Sequence, residues 1–231
     1  MCTPHRPIRR QRGAALLMLL SVLALGAATV IVHQWDSRRS ERQRAANTQR
    51  LLRQASEALM GYAMTHGRLP RPAISATDGH QNPNPCNSES ACTGILPWVT
   101  LGVSGLDSWG RTLRYSVTPA FANGPPEVGV SVATKTIQGR DSSGALYFID
   151  GQERCHTGAD CVPVLVYSEG KNRSAGGDAA DEAQNLATSQ HYILRAASAE
   201  EDAPGGAFDD MIVWLPLKEY FRRMSAAGRL L

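Results

Sequence analysis

Four of the five cysteines fall into two pairs with the same spacing, and these are the residues best suited to covalent or metal bonds. The pairs are Cys86 with Cys92 and Cys155 with Cys161, with five residues between the partners in each. Four cysteines allow three disulfide connectivities, and the short closures favour Cys86–Cys92 and Cys155–Cys161. Zinc is the competing interpretation, but paired zinc ligands usually have two to four intervening residues. The spacing therefore predicts two disulfides and an oxidising compartment.

A polar stretch late in the chain holds oxygen ligands of the type that Ca²⁺ prefers. Its candidate ligands are Asp178, Asp181, Glu182 and Asn185. A plain solvated loop without a metal ion is the interpretation we favour for this stretch, and calcium binding is the alternative. The pair Asp209 and Asp210 could join either arrangement or simply cap a strand.

Sequence signatures of enzymes are missing from the chain. It has no Gly-rich phosphate loop, no His-Glu-x-x-His and no Cys-x-x-Cys. The segment Gly102–Leu106 approaches the Gly-x-Ser-x-Gly nucleophile elbow, but its last residue is leucine instead of glycine. We therefore expect a protein that has no catalytic activity and no cofactor, with a bound calcium ion as the alternative.

The positive charge of the chain is concentrated at the N-terminus. Arg6, Arg9, Arg10 and Arg12 precede Gly13, whereas the chain from Gly13 onward holds 20 basic and 21 acidic residues. The formal charge of +3 is therefore not a nucleic-acid signal, and no nucleic-acid partner is predicted. A basic tip before an apolar segment instead indicates topology, because it places the tip in the cytoplasm.

An uncharged run of 19 residues follows the basic tip, from Ala14 to Val32. As a helix it spans about 28 Å, which matches the hydrocarbon core of a bilayer. A buried core helix would have a polar stripe, and this run has none, so we expect it to enter a membrane. Three kinds of processing remain open: cleavage by signal peptidase near Gly26, no cleavage, or removal of a short leader after Gly13.

The residues after the apolar run have the pattern of an amphipathic helix. Apolar side chains recur three or four residues apart at Leu52, Ala55, Leu59 and Tyr62. Gly67 and Pro70 are signals that end a helix. We therefore expect one helix from Ala14 to about His66. The alternative is a membrane helix, a break near His33 and then a separate helix.

The remainder of the chain has the sequence of a small α+β domain. Short β-branched or aromatic segments between turn residues predict strands, and short connections favour antiparallel pairing. The predicted strands are Leu113–Thr118, Val128–Ala133, Ala145–Ile149, Val162–Tyr167, Tyr192–Arg195 and Met211–Leu215. A short helix is expected at Glu219–Arg229. Residues 67–105 and Lys171–Thr188 are expected to form loops.

The N-terminal residues resemble the leader of a type IV prepilin. Arg12-Gly13 is followed directly by Ala14-Ala15-Leu16-Leu17, the start of the apolar run. In that family, a membrane-bound prepilin peptidase cuts after the glycine and methylates the new N-terminal amine. The resemblance therefore implies cleavage after Gly13 and methylation of the amine of Ala14.

Three further segments resemble pilin-like proteins of type IV pili and pseudopilins of type II secretion. They are Ala58–Pro70, Asp107–Tyr115 and Asp209–Trp214. The resemblance implies a pilin-like fold, in which a long membrane-spanning N-terminal helix packs on a small antiparallel sheet with disulfide-closed loops. Its parts would be a leader at 1–13, a transmembrane half-helix at 14–32, an amphipathic half-helix at 33–66 and a periplasmic domain at 67–231. Major pseudopilins also hold calcium in a comparable late loop.

Met18 departs from the family pattern, because most pilins have a glutamate there that pairs with the N-terminal amine of a neighbouring subunit. Certain minor pilins and the largest minor pseudopilin, which are assigned to the filament tip, also lack it. The resemblance therefore implies a minor subunit, at the tip or in priming, of a pilus or pseudopilus. Its expected partners are the prepilin peptidase, other pilins or pseudopilins and the lipid of the bacterial inner membrane. The alternative is a single-pass anchored periplasmic binding domain with no filament role.

Overall fold

The computed structural model describes residues 12–172, 179–187 and 190–230 of the chain, except for the side chains of 12–15, 27–32 and 34. The chain divides into two compact units, one ending at Arg44 and one running from Ala45 to Leu231. The helices are α1 (Arg12–His66), α2 (Trp98–Leu101), α3 (Pro119–Ala122), α4 (Ala180–Ala187) and α5 (Leu217–Ala226). The strands are β1 (Thr93–Ile95), β2 (Arg114–Val117), β3 (Thr136–Arg140), β4 (Leu146–Asp150), β5 (Val164–Ser168), β6 (His191–Ile193) and β7 (Met211–Leu215). The fold is therefore α+β, as the sequence predicts.

Helix α1 has different surroundings in the two units. In the first unit, the large apolar side chains from Leu16 to Leu25 are all more than half exposed. In the second unit, the predicted apolar stripe is buried, and Leu52, Ala55 and Leu59 are at most 1% exposed. Among the residues that the structure describes, no helix has an apolar stretch long enough to cross a membrane.

The end of α1 follows from its sequence. Gly67 adopts a φ of 74°, a left-handed conformation that glycine reaches without steric cost. Its backbone N–H bonds the carbonyl of Ala63 at 2.8 Å, which closes the last turn. Two residues later, the N–H of Leu69 donates to the carbonyl of Phe121 at 2.8 Å. This bond ties the segment that follows α1 to α3. The predicted end of the helix near His66 is thus confirmed.

Two small sheets form the body. The larger has the strand order β1-β2-β5-β7 and is antiparallel throughout. The smaller has the order β4-β3-β6, in which β3 pairs antiparallel with β4 and parallel with β6. The antiparallel expectation is thus confirmed for the main sheet, and β6 is an exception in the smaller one. Parallel pairing requires a long crossover, and the chain between β3 and β6 supplies it through β4, β5 and α4.

The central strand β5 separates two apolar clusters. Successive side chains of a strand point to opposite faces, and all five residues of β5 are buried. Val164 and Val166 pack with side chains of α1 and α5, whereas Leu165 and Tyr167 pack with those of β3 and β6. The larger sheet therefore lies between a helical layer and the smaller sheet, and α4 adjoins the smaller sheet at β6.

Both predicted disulfides are present. Cys86 bonds Cys92, with 5.2 Å between the two Cα atoms, and Cys155 bonds Cys161, with 5.9 Å between theirs. Each closes a short loop on the larger apolar cluster, to which Cys86, Cys92 and Cys161 belong as buried members. The predicted disulfide connectivity is thus confirmed.

Three sequence expectations about the body are wrong. The segment Val128–Ala133 is a turn and bend instead of a strand, because Gly129 adopts a φ of 76° and reverses the chain. The stretch Lys171–Thr188 is not only loop, since α4 occupies its second half. The stretch 67–105 holds β1 and α2 in addition to loops. The strand β3 was not predicted at all.

Candidate functional site

The residues of the predicted leader cleavage site lie at the start of α1. Gly13 and Ala14 are in its first turn, and their side chains are outside the described part of the molecule. Just beyond them, Met18 is 70% exposed and Leu16 is 59% exposed.

The candidate calcium ligands have different locations. Asp178 lies outside the described residues. Asp181 lies on α4 but turns toward two arginines: its carboxylate accepts hydrogen bonds from Arg140 at 2.5 and 3.0 Å and from Arg195 at 2.8 Å. The carboxylate is 1% exposed, so these guanidiniums already satisfy it. The structure therefore gives Asp181 a role in joining α4 to β3 and to the chain after β6.

Glu182 instead belongs to a cluster of three carboxylates. Glu182 on α4 meets Asp209 and Asp210, which lie directly before β7, and one oxygen from each lies within 4.8 Å of the others. Glu182 is 2% exposed and Asp210 is 6% exposed. Asp209 and Asp210 are the two acidic residues that the sequence leaves open as members of this site, and the fold brings Asp209 to Glu182 across 27 residues of chain.

Backbone N–H groups hold two of these carboxylates in place. Glu182 Oε1 accepts a hydrogen bond from the backbone N–H of Asp209 at 2.6 Å. Asp209 Oδ2 accepts bonds from the N–H groups of Lys171 at 3.1 Å and Asn172 at 3.2 Å. The second oxygen of Glu182, Oε2, is buried and has no hydrogen-bond partner among the described residues. A buried carboxylate oxygen without a partner is costly, so a proton, a water molecule or a cation at this atom would stabilise it.

Asn185 positions the third carboxylate. Its Nδ2 donates to Asp210 Oδ2 at 2.8 Å and to the carbonyl of Ile193 at 2.9 Å, while its Oδ1 accepts from the N–H of Ile193 at 2.7 Å. The side chain is fully buried. Asn185 thus joins α4, β6 and the start of β7, and these hydrogen bonds hold the carboxylate of Asp210 in place.

Electrostatic repulsion and burial act together on the cluster. Burial, together with the charges of Glu182 and Asp209 and against the hydrogen bond from Asn185, raises the pKa of Asp210 to about 8. Burial, together with the charge of Glu182 and against the backbone N–H bonds, raises the pKa of Asp209 to about 6. Placing negative charges together in a low-dielectric site favours protonation, and a cation would relieve the same repulsion.

Gly170 leaves room for this arrangement. It has a φ of 63°, and a Cβ atom there would collide with the carboxylate of Asp209. The absence of a side chain lets the backbone at 170–172 approach Asp209 closely enough for two N–H groups to bond it. The glycine is therefore part of the site's construction.

The segment Asp107–Tyr115 has a structural function. Asp107 Oδ1 accepts hydrogen bonds from the N–H groups of Trp109 at 2.8 Å and Arg111 at 2.9 Å, which closes a turn before β2. Its Oδ2 accepts a bond from the Ser168 hydroxyl at 2.6 Å. The N–H of Ser108 bonds the Thr48 hydroxyl at 3.1 Å and ties this turn to α1. The motif thus connects α1, β2 and β5.

Comparison with known proteins identifies no relatives of this chain. No protein-family model matches the chain, and no curated protein or solved structure is significantly similar to it.

Proposed function

We propose that this protein is a pilin-like structural subunit, a minor component at the tip or in the priming complex of a type IV pilus or a type II secretion pseudopilus. The observation that carries the proposal is the contrast along α1. Leu52, Ala55 and Leu59 are buried in the body, while Leu16–Leu25 expose their large apolar side chains. Such an exposed apolar stretch marks an interaction surface, and lipid or the helices of other subunits would cover it.

The N-terminal sequence supports the same function. Arg12-Gly13 directly before the apolar run has the form of a prepilin cleavage site. Cleavage there would leave Ala14 as the first residue, at the beginning of the apolar helix, with the body on the far side of the inner membrane. The role of the protein is then to be processed and assembled, and not to catalyse a reaction.

The disulfides and the motif segments fit a periplasmic body. Disulfides persist in oxidising compartments such as the periplasm, and the two in this chain stabilise loops on the larger apolar cluster. A glutamate at position 18 would pair with the N-terminal amine of a neighbouring subunit. A subunit with no neighbour above it has no such amine to neutralise, so Met18 fits that position, and a buried unpaired glutamate would be costly there. Met18 therefore favours a minor position over a bulk position in the filament.

N-terminal sequencing of the full chain, extracted from the inner membrane of cells with a prepilin peptidase, tests the proposal. We expect a chain that begins with methylated Ala14, and Gly13→Leu should block processing. Gly26→Leu is the matched control, because a Cβ at Gly26 has no heavy atom within 4 Å and this residue lies at the competing signal-peptidase site. A start at Thr29, or an intact Met1, contradicts the proposal.

Cross-linking separates a filament subunit from an anchored binding domain. Gln54 is exposed on α1 within the second unit, so a single cysteine there does not disturb the core. A filament subunit should give cross-links to other pilins from Gln54→Cys, whereas Ser142→Cys, exposed near β4, provides a control at a different surface. Cross-links absent from Gln54→Cys would favour the anchored domain without a filament role.

We also propose that the acidic cluster binds a calcium ion. The support for this proposal is that Glu182 Oε2 is a buried oxygen with no hydrogen-bond partner among the described residues. Glu182 also lies beside Asp209 and Asp210. Calcium takes oxygen ligands, including carboxylates, backbone carbonyls and waters, so the residues present fit the ion. Bound there, calcium would neutralise repelling charges and tie α4 to the start of β7.

A further inference from the structure

A basic face lies on α1 just beyond the apolar run. Arg38 and Arg39 lie three and four residues after Trp35, and Arg42 lies four and three residues after them, so all four share one side of the helix. Together with Asp36 they line one open groove within the first unit. We call these four residues the interfacial face.

Among the described residues, no carboxylate forms an ion pair with the guanidiniums of this face. Arg38, Arg39 and Arg42 are all exposed. Glu41 pairs instead with Arg44 at 3.3 Å. The groove thus holds three guanidiniums against the one carboxylate of Asp36. Its net positive charge calls for an anionic partner.

The position along the helix identifies that partner. Trp35 lies three residues beyond Val32, where the apolar run of the sequence ends, which is about 4.5 Å along the helix axis. The arginines lie roughly 9–15 Å beyond Val32, and helical side chains lean toward the N-terminus, so their heads reach back toward the run. The headgroup zone on each side of a bilayer is about 5–7 Å deep. These guanidiniums therefore reach the depth of lipid phosphates.

Trp35 agrees with this placement. It is 73% exposed, which is an unfavourable environment for an indole ring in water. Tryptophan is enriched where membranes meet water, because its ring is apolar and its N–H is polar. Three exposed arginines beside such a residue supply positive charge that an anionic lipid surface attracts.

We propose that the interfacial face binds anionic phospholipid headgroups and fixes the depth of α1 in the membrane. This inference rests on the proposed membrane anchoring of the apolar run. Arginine suits the task, because its guanidinium donates two parallel hydrogen bonds to a phosphate. The face also explains why so many arginines follow the apolar run on the side opposite the basic tip: they bind lipid there and do not set the topology.

Lipid retention by the full chain tests the proposal. The chain is purified in detergent micelles that contain equal amounts of phosphatidylglycerol and phosphatidylcholine, and native mass spectrometry counts the lipids that remain bound. Wild-type protein should retain phosphatidylglycerol preferentially. The triple variant R38Q/R39Q/R42Q should lose the preference, at about fivefold in relative affinity for each guanidinium removed. High salt should weaken the wild-type preference, because it screens exposed charges.

The matched control removes the same charge elsewhere. Arg50, Arg53 and Arg154 are exposed arginines outside the interfacial face, so R50Q/R53Q/R154Q should keep the wild-type preference. An unchanged preference in R38Q/R39Q/R42Q, or an equal loss in the control, overturns the proposal. Displacement of the lipid by soluble glycerophosphate at the same phosphate concentration would show a free-phosphate site and overturn the assignment to lipid.

Membrane extraction distinguishes this failure from failure of the anchor. If the apolar run anchors the chain, wild-type protein and both triple variants stay in the membrane pellet after alkaline carbonate treatment. If wild-type protein is released and retains neither lipid, the anchoring function is wrong and the headgroup proposal falls with it. If it stays in the pellet but shows no lipid preference, only the headgroup proposal is overturned.

Discussion

Arg140 and Asp181 form a two-pronged ion pair, with Nε donating to Oδ2 at 3.0 Å and a terminal nitrogen donating to Oδ1 at 2.5 Å. Arg195 donates to the same carboxylate at 2.8 Å. The side chains of Asp181, Arg140 and Arg195 are 1%, 18% and 11% exposed. One carboxylate therefore joins α4, β3 and the chain after β6, beside the acidic cluster.

Asp181→Asn should destabilise the body strongly. The substitution removes the charge that two mostly buried guanidiniums share, and breaking one side of a buried ion pair costs about 3–5 kcal/mol. Urea unfolding of the full chain in mild detergent, followed by circular dichroism, measures the change. Asp160→Asn is the control, since its partner Lys218 is 81% exposed, and that loss should stay within about 1 kcal/mol. Equal effects of the two variants would contradict the importance assigned to Asp181.

Calcium should stabilise the folded chain through Glu182. Ligand binding to the folded state raises the free energy of unfolding by about 2.7 kcal/mol at a concentration 100 times the dissociation constant. Glu182→Gln removes one charge and should weaken calcium binding at least about tenfold, because ligand charge sets affinity. Isothermal titration calorimetry and thermal unfolding, with calcium or with chelator, provide the measurements. Glu200→Gln, at an exposed position, should bind like wild type. No calcium-dependent stabilisation of wild-type protein would exclude the site.

The sequence predicts the parts of the fold that local chemistry determines. The end of α1 follows from Gly67, and the two disulfides follow from short closures. The sequence does not predict strand β3, because Gly139 interrupts its pattern; in the structure the ring of Tyr147 on the paired strand lies over this glycine and would have to move for a Cβ. Helix α4 was missed because its polar composition resembles a loop, and only packing against β6 shows which of its residues are buried.

The acidic site depends still more on tertiary structure. Asp181 and Glu182 are neighbours in sequence, but successive residues of a helix point about 100° apart. One therefore turns to arginines and the other to Asp209 and Asp210. The sequence contained all four carboxylates, but it could not assign them to an ion pair and a cluster, because that assignment depends on the positions of β3 and β7.

The two disulfides should contribute separately to stability. A closure of this length constrains the unfolded chain by about 2 kcal/mol in the loop-entropy model. We expect C86S/C92S to cost more than C155S/C161S, because Cys86 and Cys92 are both buried, whereas Cys155 is half-buried. Urea unfolding of the two double variants, each in the full chain, measures the difference. A larger loss from C155S/C161S would contradict the packing role of the first loop.

Gly170→Ala should disrupt the acidic cluster. A left-handed conformation costs an L-residue about 1–2 kcal/mol, and here the new methyl group would also collide with the Asp209 carboxylate. The control is Gly102→Ala, where φ is similar at 66° but no heavy atom lies within 4 Å of the Cβ position. Both variants place an alanine in the left-handed conformation, so this destabilisation is common to the two. Only Gly170→Ala also introduces a collision with Asp209. We therefore expect Gly170→Ala to lose more unfolding free energy than Gly102→Ala, and to bind calcium more weakly, whereas Gly102→Ala keeps wild-type affinity. If the two variants lose equal stability and bind calcium alike, the close approach of the backbone at Gly170 does not build the site.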